Sequence, residues 1–142
     1  MTKTYELTPL RRLANWLMKV LLRAGWGPKA TYLLTVRGRK SGKLYTTPVT
    51  LVEEDGQRWL VAPYGEVNWV RNVRASGQVT LTRGRRSETV PVVELDPEAS
   101  APILKKYVER VPIARPYFDA APDAPIEAFV TEAARHPVFR IG

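Results

Sequence analysis

A small antiparallel β-barrel, with helices at its ends and between its hairpins, is the fold this sequence predicts. Three observations carry that expectation: six short segments rich in β-branched and aromatic residues, glycine-bearing turns joining them, and proline-led caps that open helices on either side. The strands do not alternate regularly with helices, so antiparallel pairing should dominate. At 142 residues, 44% hydrophobic and 25% charged, the chain is expected to form one domain around one core. The expected division is residues 1–27 for an amphipathic helix, 32–95 for the barrel core and its site, and 96–142 for C-terminal helices and a last strand.

Thr8-Pro9 reads as an N-cap followed by proline in the first turn, and Leu10, Leu13, Ala14, Leu17, Val20 and Leu21 recur at helical spacing. Arg11, Arg12, Lys19 and Arg23 lie off that stripe and are expected to face water. Gly25 and Gly27-Pro28 stop the helix near Ala24. Residues 32–36 and 44–52 then read as strands around the tip Gly38-Arg39-Lys40-Ser41-Gly42, and Asp55-Gly56 turns the chain into a third strand over 58–62. Pro63-Tyr64-Gly65-Glu66-Val67 reads as a loop, with Asn68 capping a short helix that ends at Ser76-Gly77. Two more strands, 79–82 and 87–95, flank the basic turn Arg83-Gly84-Arg85-Arg86, with Pro91 expected at an edge or bulge. Asp96-Pro97-Glu98 opens a further helix that Pro112 closes. Residues 112–125 hold four prolines and read as a long ordered loop around Tyr117-Phe118; a helix over 126–135 and a sixth strand over 138–141 follow.

Composition narrows the chemistry. The chain has no cysteine, which excludes disulfides, thiolate nucleophiles and cysteine-bound metals and fits a reducing, cytoplasmic setting. The start Met1-Thr2-Lys3-Thr4-Tyr5-Glu6 lacks the apolar core of a secretory signal, and no apolar run reaches the roughly 20 residues of a membrane span. His136 is the single histidine and has no metal-ligand neighbour at the right spacing, so no metal site is expected and His136 reads as a cap or surface residue. Twenty-two Lys+Arg against 14 Asp+Glu leave a net charge of +8, which favours anionic partners. Charge alone leaves open a phosphorylated cofactor, nucleic acid and an anionic lipid surface.

Placement favours the first. Arg39, Lys40, Ser41 and Lys43 offer cations, a hydroxyl and amides on a bend that Gly38 and Gly42 permit, a composition suited to a phosphate dianion. The bend joins strand to strand, so it is not a nucleotide-triphosphate loop. Nucleic acid would need Arg83-Gly84-Arg85-Arg86 and the first turn on one basic face with interleaved aromatics, which the sequence does not show, and no nucleic-acid partner is expected. The first helix, with Trp16 and Trp26, suits either packing on the barrel or peripheral attachment to the inner face of a membrane. Its tryptophans, with Trp59 and Trp69, also leave room for a homodimer.

Three segments resemble the deazaflavin-dependent nitroreductases and the wider flavin/deazaflavin oxidoreductase group: Gly38-Arg39-Lys40-Ser41-Gly42 with Thr46-Thr47-Pro48-Val49, Val61-Ala62-Pro63-Tyr64-Gly65, and Asn68-Trp69-Val70-Arg71-Asn72-Val73-Arg74-Ala75. The likeness covers most of residues 32–95. It implies a six-stranded split β-barrel, FMN-binding-protein-like, that binds coenzyme F420 and passes its hydride to a small organic acceptor of nitro, quinone or enone type. FMN is the rival cofactor. On the same resemblance Arg39, Lys40, Ser41, Gly42 and Thr47 hold the cofactor's phosphate side, Pro63, Tyr64 and Gly65 line its ring, and Trp69 and Asn72 face it. Lys43 stands in for a basic residue that some relatives carry at the position of Tyr45. Tyr117 is the candidate proton donor, or with Phe118 a lid on the barrel; Trp69, on a short helix between strands, also reads as core.

Overall fold

Turn chemistry sets the architecture in the computed structural model, which describes residues 8–142. The segment Met1-Thr2-Lys3-Thr4-Tyr5-Glu6, read above for the absence of a secretory signal, lies outside the described residues, as does Leu7. Six strands, β1 Thr31–Arg37, β2 Leu44–Glu54, β3 Gln57–Val61, β4 Gln78–Arg83, β5 Arg86–Glu94 and β6 Val138–Ile141, close a barrel in the order β1-β2-β3-β6-β5-β4. Every pairing is antiparallel. Asp55 and Gly56 both adopt positive φ, 52° and 76°, which is what a two-residue hairpin matched to the strand twist requires.

Closure depends on two strands that change neighbours. Residues 44–50 of β2 pair with β1 and residues 51–54 with β3; residues 86–91 of β5 pair with β4 and 92–94 with β6. Pro91 sits at the second changeover, where its missing N–H interrupts no continuous ladder and its carbonyl accepts from Gly142. Alternation then sorts the side chains. Leu60 and Phe139 point into a barrel core with Leu34, Leu51 and Leu81, while Val61 and Val138 point outward.

Helices cover that outer face. Helix α3, Pro97–Arg110, is capped by the Asp96 carboxylate accepting from the Ala99 N–H at 2.8 Å, and it buries Ile103, Leu104, Tyr107 and Val108 against the barrel. Helix α4, Ile126–Glu132, adds Phe129, which is fully buried. The proline-rich segment expected as loop begins as a 3-10 helix over Pro112–Tyr117, because prolines at 112 and 116 fix φ at helical values. The short helix α2, Asn68–Ser76, has Val67 at its N-cap with no side-chain bond, so Asn68 is its first helical residue rather than its cap; Gly77 ends it at φ 72°.

Helix α1, Pro9–Arg23, is capped by Thr8 as expected and packs with an unexpected side inward. Arg11, Asn15, Met18, Lys19 and Leu22 are its more buried residues, whereas Leu10 is 75%, Leu13 59% and Trp16 60% exposed. The apolar stripe therefore faces out. The β4–β5 tip fixes this orientation: Gly84 donates to the Leu22 carbonyl at 2.7 Å and lies against Gly25, where a Cβ at position 84 would come within 3.2 Å of the Gly25 Cα. The Arg83 guanidinium completes the joint by donating to the carbonyls of Gly27, Pro28 and Thr31 at 2.7–2.9 Å.

This assigns the second basic turn a structural cation. Arg83→Ala should lower stability by about 2 kcal/mol, since three carbonyls lose a charged donor. Arg85→Ala, on an exposed side chain without a hydrogen-bond partner among the described residues, should change it by less than about 0.5 kcal/mol. Urea unfolding compares the two, and equal losses would contradict the assignment.

Candidate functional site

The turn between β1 and β2 folds on itself first. Gly38 donates to the Lys43 carbonyl at 2.6 Å, Gly42 donates to the Gly38 carbonyl at 3.0 Å with φ 74°, and Lys43 donates its N–H to Ser41 Oγ at 3.2 Å. Gly38 admits no side chain freely, because a Cβ there would lie 2.6 Å from the Tyr45 ring. The turn is then tied to α2: Asn72 Oδ1, on a side chain only 4% exposed, accepts from the Arg39 N–H at 3.1 Å and from its Nη1 at 2.7 Å. Among the described residues the N–H groups of Lys40 and Ser41 and the ammonium groups of Lys40 and Lys43 have no partner.

Those unused donors decide what the turn can hold. Two free amides, a hydroxyl, two free lysines and the remaining N–H groups of Arg39 converge on one exposed bend, a donor set that matches a phosphate's acceptor oxygens. The anionic group of F420 therefore fits the residues present. Thr47 pairs opposite Leu34 in the β1–β2 ladder, one strand segment below the tip.

The other end of the site is built from the chain's last third. Residues 63–65 are held by His136, whose Nδ1 lies 2.8 Å from the Pro63 carbonyl; since a carbonyl can only accept, Nδ1 carries the proton. His136 is buried, stacked on Phe118 at 3.8 Å, and its Nε2 has no hydrogen-bond partner. This corrects the sequence expectation of a surface residue, although its N–H does cap the 3-10 turn Ala133–Arg135. Burial pushes its pKa down to about 4, with the nearby Arg135 acting in the same direction, so the ring is neutral at physiological pH. Gly65, at φ 87°, passes the Arg135 carbonyl closely. Glu132, also buried, accepts from the Ala120 N–H at 2.9 Å and from Arg135 at 2.7 Å, holding the Phe118 segment in place.

Tyr64 packs edge-on against Tyr117, ring centroids 4.7 Å apart at 73°. Arg11 reaches both: it donates to the Tyr117 hydroxyl, and its guanidinium carbon sits 6.0 and 5.8 Å from the two ring centroids. The expected site residues thus fall into two joined groups. Arg39, Lys40, Ser41, Gly42, Lys43 and Asn72 form one, and Pro63, Tyr64, Gly65 and Tyr117 the other; α2, which starts three residues after Gly65 and reaches Asn72 one turn later, connects them. Trp69 is half-buried against the barrel core. Two grooves elsewhere, of about 480 Å³ between Tyr32 and the β4–β5 hairpin and about 270 Å³ beside Arg74 and Phe139, include none of these residues. Arg11 was missed because it was grouped with the water-facing cations; the signal was its separate face, Arg11, Asn15, Met18 and Leu22, at helical spacing.

A family model described as F420H(2)-dependent quinone reductase matches residues 22–132. Among solved structures, an F420-H2 dependent reductase is 26% identical, covers 80% of this chain and 95% of its own, and superposes with a TM-score of 0.55. Another, described as a domain-swapped dimer, is 23% identical over 95% of this chain and 100% of its own, TM-score 0.60. A nimC/nimA family protein from Clostridium acetobutylicum shares the fold at 12% identity, covering 89% of this chain and 77% of its own, TM-score 0.53. No curated protein matches the chain. The six-stranded split barrel, FMN-binding-protein-like, is thus the fold of this chain.

The buried imidazole makes a pH prediction. His136 takes a proton near pH 6.5 when unfolded and near 4 when folded, so its contribution is complete above about pH 6.5, falls as the pH drops toward 4, and is constant below. The depth should be about 3 kcal/mol. Urea midpoints taken from neutral pH downward should show this acid loss in the wild type and a shallower slope in His136→Asn; parallel slopes would contradict it.

Proposed function

The chain belongs to the F420H(2)-dependent quinone reductase family, and on that premise we propose that it reduces flat organic acceptors of quinone, nitro or enone type, with the F420 phosphate held by the β1–β2 turn and the ring against residues 63–65. The observation that supports this reading is the turn itself: free amides and lysines gathered on a bend that the buried Asn72 ties to α2. When bound, the deazaflavin supplies a hydride. The protein's own part is to grip the anionic end, keep Tyr64 and the start of α2 beside the ring, and present a donor to the acceptor oxygen. No ionisable histidine is needed, and His136, neutral and buried, is a strut beneath the ring-lining loop.

Titration of the apoprotein with F420, followed by fluorescence, tests the reading. Arg39→Ala with Lys40→Ala should weaken binding by about 2–4 kcal/mol through loss of charge-assisted bonds, with an unchanged circular-dichroism spectrum. Unchanged affinity would remove the turn from the site, and tighter binding of flavin mononucleotide than of F420 would reassign the cofactor.

The outward stripe of α1 supports a place for the enzyme at the inner face of a membrane. Leu10, Leu13, Leu17 and Trp16 are exposed, Trp26 is 71% exposed beyond the helix end, and Arg12 and Arg23 flank them. No helix among the described residues is long and apolar enough to cross a membrane, so attachment would be peripheral. The protein should sediment with vesicles containing anionic lipid and not with neutral ones, and Leu13→Ser with Trp16→Ser should abolish this. A dimer built through the stripe, with no vesicle binding, would overturn it.

A further inference from the structure

Arg11 enters the ring end of the site from a helix that the proposed function uses only for its outer face. Its guanidinium donates to the Tyr117 hydroxyl and lies about equally far from the Tyr64 and Tyr117 rings. The charged form is kept: partial burial opposes it, and the Tyr117 and Tyr64 hydroxyls more than compensate. A guanidinium has no lone pair to accept with and does not give up its proton in a protein, so it can orient and stabilise but cannot act as an acid. A phenol hydroxyl both accepts and donates. With one lone pair engaged by Arg11, the Tyr117 O–H proton must point away from the cation.

The surroundings fix the rest of the side chain. Tyr117 is 6% exposed, its ring is set edge-on by Tyr64, and it closes the 3-10 helix after Pro116. The Nδ1 proton of His136 is held by the Pro63 carbonyl and its Nε2 carries none; the Tyr107 hydroxyl is buried, which pushes its pKa up.

We propose that Arg11 is a positioning residue for acceptor reduction, holding the Tyr117 hydroxyl as the group that binds and protonates the acceptor oxygen. The proposal rests on the reading that the cofactor ring lies against residues 63–65. The reduced deazaflavin, held against residues 63–65, would supply the hydride by breaking its own C–H bond; as that hydride bonds to one end of the acceptor's conjugated π system, the π electrons shift and one pair moves onto the acceptor oxygen beside Tyr117. The Tyr117 O–H bond breaks as its proton passes to this oxygen, and the phenolate, stabilised beside Arg11, regains a proton from water. The acceptor is reduced by two electrons and the deazaflavin oxidised by two. Helix α1 is then part of the reaction centre through its inner face, and the acceptor meets the protein where α1, the Tyr64 loop and the Tyr117 segment converge.

The test uses Arg11→Gln, Arg11→Lys, Tyr117→Phe and the Gln/Phe double variant, each checked for wild-type melting. Tyr117→Phe keeps the ring that packs on Tyr64, so it keeps the fold should Arg11→Gln loosen α1. F420 affinity should be unchanged in all four. With a quinone acceptor, kcat should fall about a hundredfold in Tyr117→Phe and Arg11→Gln, no further in the double variant, and recover in large part in Arg11→Lys. Binding of an anionic hydroxynaphthoquinone to the apoprotein, read by difference absorbance, should weaken about tenfold in Arg11→Gln and much less in Arg11→Lys. Wild-type kcat in both single variants, with F420 still bound, would overturn the role of Arg11 while leaving the proposed function intact. If the wild-type chain fails to bind F420, the proposed function falls, and the apoprotein measurement still decides: weakened quinone binding in Arg11→Gln supports the positioning role and unchanged binding overturns it.

Discussion

The side-chain carbonyl of Asn72 accepts both the backbone N–H and the guanidinium of Arg39, and the rest of the site is arranged around that buried joint. An amide acceptor taken out of water demands its donors, so the turn is held against α2 and not left as a free hairpin tip. Helix α2 follows directly from the loop that His136 pins through the Pro63 carbonyl. The β1–β2 turn and the 63–65 loop are thereby set at one spacing, with cations at one end and tyrosines at the other. A cofactor that carries a phosphate and a flat ring needs its two recognition sites rigidly related.

The excess of positive charge divides into cations used inside the protein and cations left to meet something else. Arg58, Arg74 and Arg135 pair with Glu88, Glu94 and Asp119, while Arg83 and Arg115 bond to carbonyls that strands and helices leave over. The second basic turn is therefore partly a brace for α1. Among the described residues the cations left over lie on the β1–β2 turn, along one flank of α1, and at Arg85 and Arg86 of the β4–β5 tip, with Arg71 and Arg140 among those apart from these. The net charge of +8 is thus expressed largely at local clusters, of which those on the β1–β2 turn and α1 lie beside exposed aromatic or aliphatic surface.

Elements governed by nearest-neighbour chemistry were legible in the sequence: the Asp55-Gly56 hairpin, the Thr8 and Asp96 caps, the Gly77 stop and the six strands all follow from local backbone preferences. The basic turn was legible as a bend rich in cations and free donors because its residue types are contiguous. Relations between distant segments were not. Helical periodicity locates the stripe of α1 but carries no information on which side the barrel will take, and here the joint between Gly84, Gly25 and Arg83 decides it. The same gap hid Arg11 among the solvated cations and His136 among surface residues. Asn72 was expected to face the cofactor on the strength of a resemblance; its observed bonds run to Arg39, so its part is to fix the turn that would make the contact.

A crystal structure of the chain with F420 tests the central claim most directly. The account predicts phosphate oxygens within hydrogen-bonding reach of the Lys40 and Ser41 amides, the Arg39–Asn72 joint intact, and the ring against Tyr64 with its reactive face toward Tyr117. A phosphate seated instead between Arg85 and Arg86 in the groove beside Tyr32, with the β1–β2 turn in open solvent, would contradict it.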